Sequence, residues 1–167
     1  MYYKIFNKWG LLIVLFTNYM YAVTFEQDGV KEGNIRLSMG LFSEQDNSDK
    51  PNNISLYANI GYFINDDFEL SFGVNTVSQY EDTSFTLSPG LIYYFYKTPI
   101  LTPYIGAKYY YENSTNAYVL SREGATGFIG THLFLNENVA LTPEFGANYI
   151  DKKKQNTYFN TSLSYFF

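Results

Sequence analysis

The chain has 167 residues, 11 basic and 16 acidic side chains and a net charge of −5, with one His and no Cys. That length suits one domain, the acidic balance excludes a basic face for nucleic acid, and the lack of Cys excludes a lipoprotein anchor and any disulfide. Aromatic residues make up 20% of the chain, 18 Tyr and 15 Phe against one Trp, yet mean hydropathy is only −0.20. A sheet that is apolar and aromatic on one face and polar on the other satisfies both figures, and it crosses a membrane without a continuous hydrophobic stretch.

The first 22 residues read as a cleaved secretory signal peptide. Lys4 and Lys8 give a basic start, Leu11-Leu12-Ile13-Val14-Leu15-Phe16 is an apolar run, and Thr17 to Tyr21 lead to the small Ala22. The run falls well short of the roughly 20 residues a spanning helix needs. The expected organisation is a signal peptide over 1–22 and one barrel domain over 23–167, the latter with nine bases against 16 acids.

Eight segments of alternating polarity follow, at about residues 33–43, 53–64, 68–79, 84–96, 101–112, 118–135, 139–150 and 157–167. Helical periodicity is absent. Asn65-Asp66-Asp67, Asn136-Glu137-Asn138 and the segment around Lys97-Thr98-Pro99 read as tight turns, whereas Glu44 to Asn52, Gln79 to Thr83, Asn113 to Ala117 and Asp151 to Asn156 are longer. In a membrane barrel the short turns are periplasmic, which would put both termini in the periplasm.

The distribution of charge between the two strand faces decides which face is inside. One carries residues such as Leu37, Met39, Ile60, Phe72, Leu91, Ile105, Ile129, Leu141 and Phe145, and no charge interrupts it outside the irregular start of the sixth strand. The other carries Arg36, Ser38, Asn59, Glu69, Lys108, Thr126, His132, Thr142, Glu144, Asn160, Ser162 and Ser164. It also holds Gly40, Gly61, Gly73, Gly90, Gly106, Gly130 and Gly146, one in each of the first seven strands. Glycines belong on the crowded face, where eight strands converge and Tyr57, Tyr94, Tyr104 and Tyr110 need room. The polar face is therefore the inside, and lipid is the only solvent that suits the outside. A soluble lipocalin-like barrel would reverse this arrangement, while a Greek-key sandwich would share only the alternation. In the sixth strand, Ser121-Arg122-Glu123-Gly124 interrupts the pattern, and a bulge at Gly124 or projection above the membrane is expected.

The chain ends on Phe159, Thr161, Leu163, Tyr165 and Phe167 along one face of its last strand. This resembles the C-terminal signature of bacterial outer-membrane barrels, and the resemblance implies that Phe159, Leu163, Tyr165 and Phe167 form the signal read by the barrel-assembly machinery. With the inward glycines and the segments Leu87 to Tyr94 and Thr102 to Ala107, the whole domain is similar to the small eight-stranded Gram-negative outer-membrane family that is OmpX-like or OmpA-transmembrane-domain-like. The fold implied is an all-β, eight-stranded antiparallel up-and-down barrel spanning the outer membrane as a monomer. Lipid and lipopolysaccharide are its implied surroundings. Among such proteins the lipid A modifying enzymes need a His and a Ser near the outer leaflet. Here the single His132 falls near the periplasmic end, without a Ser two residues on, so no catalytic, cofactor or metal site is expected. Glu44, Asp46 and Asp49 lack the spacing of a calcium loop.

The inward charges form the candidate site: Arg36 and Glu69 low in the lumen, Lys108 and Glu144 near mid-height, and His132 as a hydrogen-bonded filler. Opposite charges across a narrow lumen are expected to pair, since a lone buried charge is costly. Outside, Glu44, Asp46, Asp49, Glu81 and Asp82 would make the first two loops acidic, and Lys152, Lys153 and Lys154 would make the fourth basic. The function expected is a non-enzymatic, structural or surface-interacting envelope protein. A small pore and, third, a lipid A modifying enzyme are the alternatives, and eight strands leave little room for solute.

Overall fold

The computed structural model describes residues 29–45, 53–79, 82–114, 122–150 and 153–167. Eight strands follow one another: β1 (Ile35–Gln45), β2 (Asn53–Phe63), β3 (Phe68–Gln79), β4 (Asp82–Tyr94), β5 (Leu101–Ser114), β6 (Arg122–Phe134), β7 (Val139–Ile150) and β8 (Lys153–Phe166). Each pairs antiparallel with its sequence neighbours, and β8 returns to β1 to close the barrel. The expected 1–22 signal peptide lies outside the described residues.

Alternation does in three dimensions what it does in the sequence. Along β8, Tyr158, Asn160, Ser162, Ser164 and Phe166 are buried, while Phe159, Leu163, Tyr165 and Phe167 are exposed. The same parity holds around the barrel, so the exposed face is a belt of large apolar side chains, with Met39 at 61% and Phe145 at 54% exposure. At its far edge the belt gives way to Glu123, which accepts a 2.6 Å hydrogen bond from Tyr109.

The turns at one end repeat a single chemistry. The Asn65 Oδ1 accepts from the backbone N–H groups of Asp67 and Phe68, and the Asn136 Oδ1 from those of Asn138 and Val139. Beneath β1 the chain reverses at Gly33, whose φ of 85° is in the left-handed region that suits glycine. Its N–H bonds the Phe63 carbonyl at 2.9 Å, tying the lead segment to β2. Phe63, Phe134 and Phe166 gather at this end, with Val30 and Ala140, into a fully buried aromatic floor.

Three departures from the expected boundaries share one cause. β5 runs on to Ser114, β4 starts at Asp82 and β8 starts at Lys153, four residues ahead of expectation. Pairing between backbones continues past the apolar belt, where composition turns polar and resembles loop. β6 is described from Arg122, and the expected start at 118 lies outside the described residues. No bulge occurs at Gly124, which pairs in register with Tyr110 and Ile150. Gly124 faces inward, and an added Cβ would lie 2.7 Å from the Tyr110 hydroxyl. The break in register lies between Asn148 and Tyr149, where β7 meets β8. Prolines interrupt the ladders as their missing N–H requires: β4 to β5 skips Ser88 and Pro89, and β6 to β7 skips the pairs at Thr142 and Pro143.

Candidate functional site

Inward parity places the polar side chains in two tiers above the aromatic floor. In the lower tier, Arg36 on β1 meets Glu69 on β3 through two bonds, Nε to Oε2 at 3.1 Å and Nη2 to Oε1 at 2.6 Å. The second nitrogen also reaches the Asn59 Oδ1 on β2 at 2.8 Å, and Nη1 donates to the Ser38 hydroxyl. Arg36 is 4% exposed and Glu69 0%, so the fork geometry and added partners offset the cost of drying both charges.

From Ser38 the contacts continue around the wall. Ser38 meets the Ser164 hydroxyl at 2.7 Å, Ser164 meets Thr142 at 2.8 Å, and Thr142 meets the His132 Nδ1 at 2.8 Å. The His132 Nε2 lies 3.1 Å from the Tyr94 hydroxyl, which donates to Glu69. The circuit of Arg36, Ser38, Ser164, Thr142, His132, Tyr94 and Glu69 crosses β1, β8, β7, β6, β4 and β3. Asn59 brings in β2, and the Tyr104 ring of β5 lies 4.9 Å from that of His132.

Donor counting gives this circuit a direction. Arg36 only donates and the Glu69 carboxylate only accepts. Tyr94 spends its one hydrogen on Glu69, so its oxygen accepts from His132 Nε2–H. Nδ1 then accepts from Thr142, Thr142 from Ser164, Ser164 from Ser38, and Ser38 from Arg36. Every link is satisfied with a neutral His132 carrying its proton on Nε2, an assignment made by the network.

The upper tier centres on Glu144 of β7. It accepts from the Tyr158 hydroxyl at 2.7 Å, the Tyr104 hydroxyl at 3.1 Å and the Lys108 Nζ at 3.3 Å. The Lys108 ammonium also lies over three rings, 4.8 Å from the centroid of Phe128, 5.0 Å from Tyr158 and 5.6 Å from Tyr57. Tyr104 joins the tiers, with its hydroxyl on Glu144 and its ring on His132.

The inward glycines make this filling possible. A Cβ at Gly106 would enter the Phe128 ring, one at Gly61 the Glu69 carboxylate, one at Gly130 the Tyr104 hydroxyl and one at Gly146 the Tyr158 ring. The structure thus brings together Arg36 with Glu69, Lys108 with Glu144, and His132 with the former pair. The links through Ser38, Tyr94, Thr142 and Ser164 were not assigned from sequence. Their signal is shared inward parity within a few residues of the tight turns. Phe159, Leu163, Tyr165 and Phe167 stand together on the outer face, the last two with ring centroids 4.7 Å apart. The loop residues Asp46, Asp49, Glu81 and Lys152 lie outside the described residues, as do the side chains of Glu44, Asp82, Lys153 and Lys154. Among the described residues, no group of three His, Cys, Asp or Glu is placed to hold a metal ion.

Neither a protein-family model nor a curated protein sequence matches the chain. Solved structures do. The N-terminal β-barrel domain of Pseudomonas aeruginosa OprF superposes with a TM-score of 0.67 over 81% of this chain and 98% of that one, at 20% identity. This is the small outer-membrane barrel fold. The outer membrane protein OprG of P. aeruginosa gives a TM-score of 0.62 at 14% identity, covering 85% of this chain and 99% of that one. Neisserial surface protein A gives 0.60 at 16% identity, covering 80% and 94%. At such identities the small outer-membrane barrels share with this chain the closed eight-strand wall, and the lumen described above is argued from its own residues.

Proposed function

We propose that the protein is a plugged, non-enzymatic barrel of a Gram-negative outer membrane, with a structural and surface-interacting role in the cell envelope. The observation that carries this reading is the pairing of an exposed apolar belt with a lumen filled by two charge-neutral clusters. Lipid satisfies the belt, and among the described residues the clusters fill the lumen that a wide pore or a catalytic cleft would need. His132, completely buried, serves as a link in the wall-to-wall network. Residues 1–22 act as the export signal. Phe159, Leu163, Tyr165 and Phe167 are the residues presented to the assembly machinery, both termini are periplasmic, and the loops meet lipopolysaccharide outside. Closure leaves no strand edge for pairing with a second copy, which favours a monomer.

Refolding the 23–167 segment in detergent tests the barrel: unboiled protein should migrate faster than boiled protein and give a β-type circular dichroism spectrum. Identical mobilities would overturn the membrane reading. Planar-bilayer recordings separate plug from channel, because the plug allows at most small, infrequent openings. Large steady conductance would favour the pore alternative, and altered lipid A mass in a deletion strain would favour an enzyme.

A further inference from the structure

The two buried cations are held by different chemistry. Arg36 donates four hydrogen bonds to three partners, two to Glu69 and one each to Ser38 and Asn59. Lys108 has one hydrogen bond to Glu144, and its ammonium otherwise faces the rings of Phe128, Tyr158 and Tyr57. Aromatic faces carry negative potential, and three of them around one nitrogen form a cage of the kind that selects organic ammonium ions. Glu144 supplies the counter-charge, and the hydroxyls of Tyr104 and Tyr158 fix its carboxylate. Asn160, opposite Glu144 in the ladder and 2% exposed, adds a buried amide oxygen with no hydrogen-bond partner. The Lys108 side chain is 11% exposed against 5% for Arg36, so solvent touches this chamber.

We infer that the chamber formed by Tyr57, Phe128, Tyr158 and Glu144 is a recognition site for a primary alkylammonium ion, with Lys108 as its built-in occupant. The inference goes beyond the envelope role and holds for the barrel in detergent. A primary ammonium keeps the carboxylate bond while its alkyl stem lies along the rings. Sodium holds its hydration shell too tightly for such a site, and a neutral alcohol lacks the charge. Lys108→Ala removes Cγ, Cδ, Cε and Nζ, the heavy atoms of n-propylammonium in the same order.

The test is thermal unfolding of refolded wild type and Lys108→Ala in n-propylammonium chloride, with sodium chloride and 1-propanol at matched concentration as controls. Propylammonium should raise the midpoint of Lys108→Ala by roughly 3 to 6 °C at about ten times its dissociation constant. It should leave the wild type, whose chamber is filled, unmoved relative to sodium. Adding Glu144→Gln should shrink the gain. An equal gain with sodium or propanol, an equal gain in wild type, or no gain would overturn the proposal. If Lys108→Ala does not refold alone, its folded yield against propylammonium gives the same reading, with rescue by propylammonium alone as the supporting result. In the wild type, three rings about 5 Å away should shift the Lys108 ε-methylene NMR signals upfield, and signals at their random-coil position would refute the cage.

Discussion

Replacing Arg36 by Met removes four hydrogen bonds and the cation that neutralises Glu69, which is completely buried. Of its partners Glu69 would keep Tyr94, while Asn59 and Ser38 would each lose a donor. Summing the lost bonds separately would overcount, because they share one side chain. The dominant cost is an uncompensated buried carboxylate, and breaking such a pair typically destabilises by about 3 to 5 kcal/mol. Glu69→Gln should fall in the same range, since it strands the guanidinium instead. The double variant should be less damaged than the sum of the two, with a coupling of about 1 to 3 kcal/mol. The assay is urea unfolding of refolded protein followed by gel mobility and circular dichroism. Trp9 is the sole Trp and lies in the expected signal segment, so tryptophan fluorescence cannot report. Strictly additive losses, or single variants within about 0.5 kcal/mol of wild type, would refute the account of the lower tier as an interdependent ring.

In the upper tier, Lys108→Met and Glu144→Gln should each destabilise the refolded barrel and raise bilayer conductance, and the double change should recover part of the stability; additive losses with unchanged conductance would count against pairing. Gly106→Ala should cost about 1 to 3 kcal/mol in denaturant titrations, because the new methyl enters the Phe128 ring. Gly127→Ala, with open space around its would-be methyl, should stay within about 0.5 kcal/mol of wild type. Nitrogen NMR of His132 should show a proton on Nε2 and a bare Nδ1, and the opposite tautomer would reverse the assigned donor chain. Deleting Phe167 should lower the amount of protein in the outer membrane at constant transcript, whereas normal surface levels would remove the C-terminal aromatic from assembly.

Strand parity made much of this fold legible in the sequence, because one residue of slip would have turned Arg36, Glu69 and Glu144 toward lipid. Glycine supplied a second, independent signal: residues such as Gly61 and Gly146 mark where a neighbouring side chain takes the space of a Cβ. Strand ends were less legible. Lys153 to Asn156 are polar enough to resemble a loop, yet backbone pairing does not require an apolar side chain. Of the two expectations at Gly124 the bulge fails for a related reason, since a glycine beside charged residues resembles a bulge until the neighbouring Tyr110 ring is located. The individual links of the lower ring were not legible either. Ser38 meets Ser164 through barrel closure, and Ser164, Thr142 and His132 line up in turn through the stagger between strands, which parity alone leaves undetermined.

The same ring constrains the order in which the wall is completed. Arg36 reaches Glu69 as soon as β1, β2 and β3 have paired, but Ser38 meets Ser164 only when the chain's first strand finds its last, 126 positions away in sequence. Until that seam closes, the hydroxyl relay is cut and β1 and β8 both present bare edges. Closure therefore joins ten backbone rungs from Arg36 with Phe166 to Gln45 with Thr157 and completes the interior circuit at one time. A half-assembled wall in lipid would leave the amides of both edges without partners, so the seam closes the backbone ladder and the interior circuit together.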